Sequence, residues 1–242
     1  MTTTARRRLD LVQPERRTPR IAVCLYGPPG TGKTTAACGA PGPVLVLNAE
    51  SSTALDFARA RYGAQNVREY RVTGRQSLID VSLYLRDGGD GEQTVVLDPV
   101  EDVWRILVEE SSPSNRPSLQ NFGDAGTTIE RFARFLVKDA DVNAIFVCHE
   151  QLAETADGML LMPMTGGRKN PQILTAMCDV VGYTAVLSQK EGPPRYVAKV
   201  QPDERRYAKN RNGLLAPVVD LDLSAWAKAY AEFARPQKEK KA

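Results

Sequence analysis

One short run constrains this chain more than any other feature. Gly27-Pro28-Pro29-Gly30-Thr31-Gly32-Lys33-Thr34 matches G-x-x-x-x-G-K-[ST]. It follows an apolar run, Ile21 to Tyr26, and precedes a helical pattern. In that setting the spacing has a physical purpose. The glycines let backbone N–H groups converge on phosphate oxygens, and a helix N-terminus brings its positive dipole end to the same place. Lys33 then reaches the β- and γ-phosphates, and Thr34 offers a hydroxyl to Mg²⁺. Thr35 either assists or starts the helix. The expectation is a site for ATP with Mg²⁺, cradled by residues 27–35.

The surrounding pattern implies the fold that such a loop needs. Val44 to Leu47 (bounded by Pro41-Gly42-Pro43), Thr94 to Leu97 and Ala144 to Cys148 are short, continuous apolar runs rich in β-branched residues. Strands buried on both faces of a parallel sheet read this way. Between them, Val100, Val103, Trp104, Leu107 and Val108 fall on one helical stripe, as do Ile129, Phe132, Ala133 and Leu136. Strands alternating with helices predict an α/β fold, with a mostly parallel central sheet flanked by helices. Val180 to Leu187 and Arg195 to Val200 flank Glu191-Gly192-Pro193-Pro194 and predict an antiparallel hairpin toward the C-terminal side. A last helix over 224–234 places Trp226, Tyr230 and Phe233 at i, i+4 and i+7, a docking face.

Composition excludes several classes. The chain has 242 residues, 42% hydrophobic and 25% charged, which predicts one large domain over residues 21–235. Nothing approaches about 18 uninterrupted apolar residues, and no apolar stretch follows the N-terminal arginines. Neither a membrane span nor a secretory signal is expected. Cys24, Cys38, Cys148 and Cys178 form no C-x-x-C pair, which fits a reducing cytoplasm. The net charge of +3 is unevenly placed. Residues 1–20 carry about +4 and residues 236–242 about +2, leaving a slightly acidic body. The two ends read as flexible basic tails, the first also as an arm that touches nucleic acid or a neighbouring subunit.

Other residues can serve the phosphate site. Asp98 ends a buried strand, where a P-loop protein holds its Mg²⁺-bound water; it also suits a helix N-cap, with Pro99 at the first helical position. Hydrolysis further needs a carboxylate to orient or deprotonate water. Many AAA+ and helicase-type ATPases place it directly after the metal-holding aspartate, where this chain has Pro99. Glu50, at the end of the strand after the P-loop helix, can face the γ-phosphate from the next strand; Glu101 and Asp102 are alternatives. His149, the chain's one histidine, ends a fourth strand, and Glu150 beside it either orients it or faces solvent.

The order of motifs carries a resemblance. The runs GPPGTGKTT, LNAE and VVLD come first, then Gln120-Asn121-Phe122-Gly123, FVCHE, GGRKNP, Cys178 to Tyr183 and AKNRNG. Together, over roughly residues 20–220, they resemble the small phage-encoded RecA-like P-loop ATPases of the single-strand annealing type. Asn48 departs from relatives that often carry an acidic residue there, which removes one possible magnesium-shell carboxylate. The large extra domain of full recombinases is not evident.

The resemblance implies a homo-oligomer, ring or filament, with ATP at subunit interfaces and a single-strand-binding protein as a candidate partner. It implies that Glu50 is the general base and His149 a γ-phosphate sensor. Lys209 and Arg211 would form a finger entering the neighbouring protomer's site; the alternative is a solvated basic loop. Two loops would meet single-stranded DNA, Ser111 to Ala125 and Gln151 to Gln172. In the second, Arg168 and Lys169 would pair phosphates, or be incidental charges on a flexible loop. Competing readings are a nucleotide switch that loads a replication or recombination partner and a small-molecule P-loop kinase. The kinase lacks an evident lid with clustered arginines.

Overall fold

The computed structural model describes residues 19–50, 53–112, 116–155, 158–167 and 170–234. The chain opens with β1 (Ala22–Tyr26), α1 (Lys33–Cys38), β2 (Val44–Asn48), α2 (Asp56–Tyr62), β3 (Val67–Arg71) and α3 (Arg75–Arg86). It continues with β4 (Thr94–Asp98), α4 (Val100–Glu110), α5 (Leu119–Lys138), β5 (Asn143–Cys148), β6 (Glu150–Thr155) and β7 (Gly158–Pro163). It closes with α6 (Asn170–Met177), β8 (Val180–Leu187), β9 (Arg195–Lys199), β10 (Lys209–Asn210), β11 (Val218–Asp220) and α7 (Leu223–Phe233).

The main sheet runs in the order β11-β9-β8-β1-β5-β4-β2-β3, with β10 also paired to β8. From β8 across to β3 the strands are parallel; β9, β10 and β11 join antiparallel. The expected α/β fold with its antiparallel β8–β9 hairpin is therefore present. Strand side chains alternate between faces. Along β5, Ala144, Phe146 and Cys148 join a core with α3 to α6, while Ile145 and Val147 join one with α1, α2 and α7. Two covered faces account for the continuous apolar runs. Fully buried Phe146 alone is worth about 3–5 kcal/mol against truncation to alanine.

Register then positions the chemistry. Tyr26 pairs with Cys148, Leu97 with Phe146, and Asn48 with Asp98. The carboxyl ends of β1, β5, β4 and β2 are level, so the residues that follow them emerge along one edge. Ligands of open α/β sheets bind at such an edge.

The structure corrects several local expectations. Pro99, not Asp98, is the N-cap of α4, and Asp98 is the last residue of β4. Within Ser111 to Ala125, α5 already begins at Leu119. Ser118 caps it, accepting from Asn121 N–H at 3.3 Å while its own N–H donates to the Asn121 side chain at 2.7 Å. The segment from Gln151 to Gln172 contains a hairpin, β6 paired antiparallel with β7 and Leu152 opposite Leu161, followed by the start of α6. On α7, Trp226 and Tyr230 are buried as expected, but Phe233 is exposed. No helix among the described residues is long and apolar enough to cross a membrane.

Candidate active site

The phosphate loop is held in shape before any ligand arrives. Gly27 has φ +145°, and a Cβ there would stand 2.8 Å from the Thr184 carbonyl oxygen, so only glycine fits. The Thr184 hydroxyl donates to Tyr26 O at 3.1 Å and meets the Thr31 hydroxyl at 2.6 Å. Thr31 in turn donates to Pro28 O at 2.9 Å. Lys33 is buried at the start of α1, and its Nζ donates to the carbonyls of Gly27 at 2.9 Å and Pro28 at 2.8 Å. Burial lowers its pKa, with Asp98 and Glu101 opposing.

A cavity of about 300 Å³ at the strand edge brings most predicted residues together. Pro29, Gly30, Gly32, Lys33, Thr34 and Thr35 line one side; Glu50, Asp98 and His149 line the other. Asp98 is buried and accepts a hydrogen bond from the Thr34 hydroxyl. Burial pushes its pKa up to about 7, with the Thr34 bond and Lys33 opposing and Glu50 adding to the rise. A buried carboxylate this poorly compensated suits a divalent cation. Mg²⁺ is commonly held by one or two carboxylates together with substrate phosphates and waters. Asp98 and Thr34 fit that donor set.

Asn48 has a visible task. Its side-chain oxygen accepts from the Glu50 N–H at 2.8 Å, and its amide nitrogen donates to Glu69 at 2.8 Å. An aspartate could not make the second bond. Arg71 also donates to Glu50 O, at 3.2 Å. These bonds fix the turn that leaves the exposed Glu50 side chain at the cavity.

Glu101 and Asp102, the other carboxylates considered for activating water, are committed elsewhere. Asp102 pairs with Arg105 on its own helix. Glu101 is buried and bonds His149 through both the backbone N–H, at 3.0 Å, and ring Nδ1. Glu150 does not orient His149; it bonds Tyr183.

A second cavity, about 580 Å³, shares Gly30, Gly32 and Thr35 with the first. Phe57 and Tyr196 line it and are 66% and 46% exposed. Neither ring stands out in the sequence as a site residue. Lys209 and Arg211 lie away from both cavities. They sit beside the first residues of β8, whereas the P-loop leaves the far end of adjacent β1. Lys209 donates to Thr175 O and Ala176 O, and Arg211 pairs with Asp179 at 3.2 Å. Cations at a helix C-terminus are favoured there by the helix dipole. Arg168 and Lys169 lie outside the described residues, as do the tails 1–18 and 235–242.

No curated protein matches the chain. Residues 20–212, which include every residue lining the phosphate cavity, match the model of the AAA domain, and the chain belongs to that family of nucleotide-binding P-loop ATPases.

Proposed function

We propose that the chain is a RecA-like ATPase that binds ATP with Mg²⁺, hydrolyses it with Glu50 as the base, and acts on single-stranded DNA as a homo-oligomer. One observation carries the reading. Glu50, from the end of β2, lines the same cavity as Lys33, Thr34, Asp98 and His149. The position after Asp98 is a proline, which removes that source of a water-activating carboxylate, and the motif order supports Glu50, beyond the end of the neighbouring strand, in its place.

In this reading Lys33 exchanges the loop carbonyls for β- and γ-phosphate oxygens. Glu50 orients and deprotonates the attacking water, and His149 contacts the terminal phosphate. A bound Mg²⁺ would neutralise developing phosphate charge, held by Asp98 and Thr34. The base enters the adjoining cavity against Phe57 and Tyr196. Lys209 and Arg211 are remote from their own protomer's phosphates, so any role they have in catalysis is at a neighbour's site. Resemblance in motif order supports the DNA role, which is single-strand annealing or recombination.

The test is ATPase activity with and without single-stranded DNA. Glu50→Gln should lower the rate about 10²–10⁴-fold while nucleotide binding persists. Lys33→Ala should lose activity through the phosphates. Unaltered turnover in Glu50→Gln overturns the assignment of the base. A rate unmoved by DNA, with no salt-sensitive DNA binding, removes the DNA role alone.

A further inference from the structure

We propose that the groove between α3 and α5 is a docking site for a protein partner, and that it takes an acidic segment carrying apolar side chains. This face is separate from the nucleotide site. None of the groove's residues lines either nucleotide cavity, so its docking role does not depend on ATP hydrolysis.

The groove encloses about 330 Å³ and has an apolar floor. Ile79 and Leu83 stand one turn apart on α3 and are 43% and 50% exposed, beside buried Leu78, Phe132 and Phe135. The two hydroxyls that line it are already committed. Ser82 donates to Leu78 O at 2.7 Å, and Thr128 donates to Asp124 O at 2.8 Å. The floor therefore offers apolar contact and no free hydroxyl proton.

The rim carries three positive charges. Arg75 and Arg86 stand at the two ends of α3, about 16 Å apart along its axis, and Arg131 stands on the α5 wall. No carboxylate lines the groove. Among the described residues, none forms an ion pair with any of these three guanidinium groups. Carboxylates nearby in the fold are turned elsewhere. Asp80 accepts from Gln76 at 2.8 Å, Glu130 pairs with Arg134, and Glu110 accepts from the Arg75 backbone N–H at 2.7 Å. Protein surfaces ordinarily intersperse the two signs, and the body of this chain is slightly acidic. Three uncompensated arginines around exposed isoleucine and leucine are a local exception. Arg86 is also held in place, its guanidinium 5.1 Å from the centre of the Phe135 ring. A stacked guanidinium keeps its in-plane N–H groups for a carboxylate.

These features name the occupant's chemistry. An apolar centre with arginine around it is the composition of a protein–protein contact. Carboxylates are the side-chain groups that a guanidinium binds through paired N–H bonds. The span from Arg75 to Arg86 matches about three turns of an amphipathic helix or about five extended residues. A peptide also fits better than a nucleic acid. Phe132 and Phe135 are buried, so the groove presents no aromatic ring for a base to stack on.

Fluorescence anisotropy with the full chain tests the proposal. The probe is a labelled peptide of about twelve residues, with Leu at i, i+3, i+4 and i+7 and Asp or Glu elsewhere. One control replaces the acids by Asn and Gln, another replaces Leu by Ser, and a further probe is oligothymidylate. The acidic, apolar peptide should bind, and each peptide control should bind at least about tenfold more weakly. Added salt should weaken the binding. Arg75→Glu, Arg131→Glu and Leu83→Ser, all at exposed positions, should each weaken it about tenfold. Arg134→Glu, on α5 but outside the groove, should leave it unchanged.

No binding by this peptide, equal binding by either control, or binding indifferent to the groove variants overturns the proposal. Oligothymidylate binding that the same variants abolish assigns the face to nucleic acid and also overturns it. Sedimentation covers the remaining occupant: self-association that Leu83→Ser and Arg131→Glu abolish assigns the groove to a second copy of the chain, against the proposal. If a variant does not fold, the comparison of peptides on the unmutated chain decides the matter.

Discussion

Asp98→Asn should make the ligand-free protein more stable, although it removes a residue the proposed chemistry needs. The carboxylate is buried at the end of β4, and burial raises its pKa from 3.8 to about 7. Between those values the folded chain holds a proton that the unfolded chain has released. Stability therefore falls as pH rises through that window, and the full cost is present above it. A displacement of about 3 units corresponds to about 4 kcal/mol. Asparagine has nearly the same shape, still accepts from Thr34, and carries no charge to desolvate. Urea unfolding of both proteins in EDTA, from pH 4 to pH 8, measures the difference. The two curves should converge at the acid end and separate by up to about 4 kcal/mol at pH 8, the variant being the more stable. Mg²⁺ with nucleotide should narrow the gap, because a cation supplies the missing compensation. A separation independent of pH, or a less stable variant at pH 8, would refute the reasoning.

Other outcomes follow from the geometry. Phe57→Ala and Tyr196→Ala should each raise the KM for ATP about tenfold with little change in kcat, the signature of lost ground-state stacking; an unchanged KM would exclude the second cavity as the base site. Arg211→Ala should cost only about 0.3–1 kcal/mol of stability by uncapping α6, read by thermal unfolding. If Arg211 also serves a neighbour's site, mixing inactive Arg211→Ala with inactive Glu50→Gln should restore part of the ATPase rate. No recovery at any ratio would leave Arg211 with its helix-capping task alone.

The sequence was most legible where chemistry and structure share a short segment. The phosphate loop announces its strand, turn and helix within a few residues, and the buried strands beside it are continuously apolar for a simple physical reason. It was less legible at the edges. Val67 to Arg71 is an edge strand, half-exposed and interrupted by charges, and gives no apolar run. The β6–β7 hairpin stands outside the main sheet with Leu152 and Met159 exposed, so its pattern reads as loop. Three carboxylates near strand ends could each have served the water. Only packing separated them, turning Glu101 toward His149, Asp102 toward Arg105 and Glu50 into the cavity. Phe57 and Tyr196 come to one cavity from distant segments and carry no local signal.

All four thiols are free and buried. Burial pushes Cys38 up to about 12 and raises Cys148 and Cys178 as well. Alkylation requires an accessible thiolate, so the folded protein is closed to maleimides while each unfolded molecule offers four sites. Mass shift under brief labelling thus counts unfolded molecules directly. For the same reason a cysteine placed at exposed Leu152 would be the single addressable position on the native surface, a fluorescent reporter of the hairpin that needs no prior removal of native thiols.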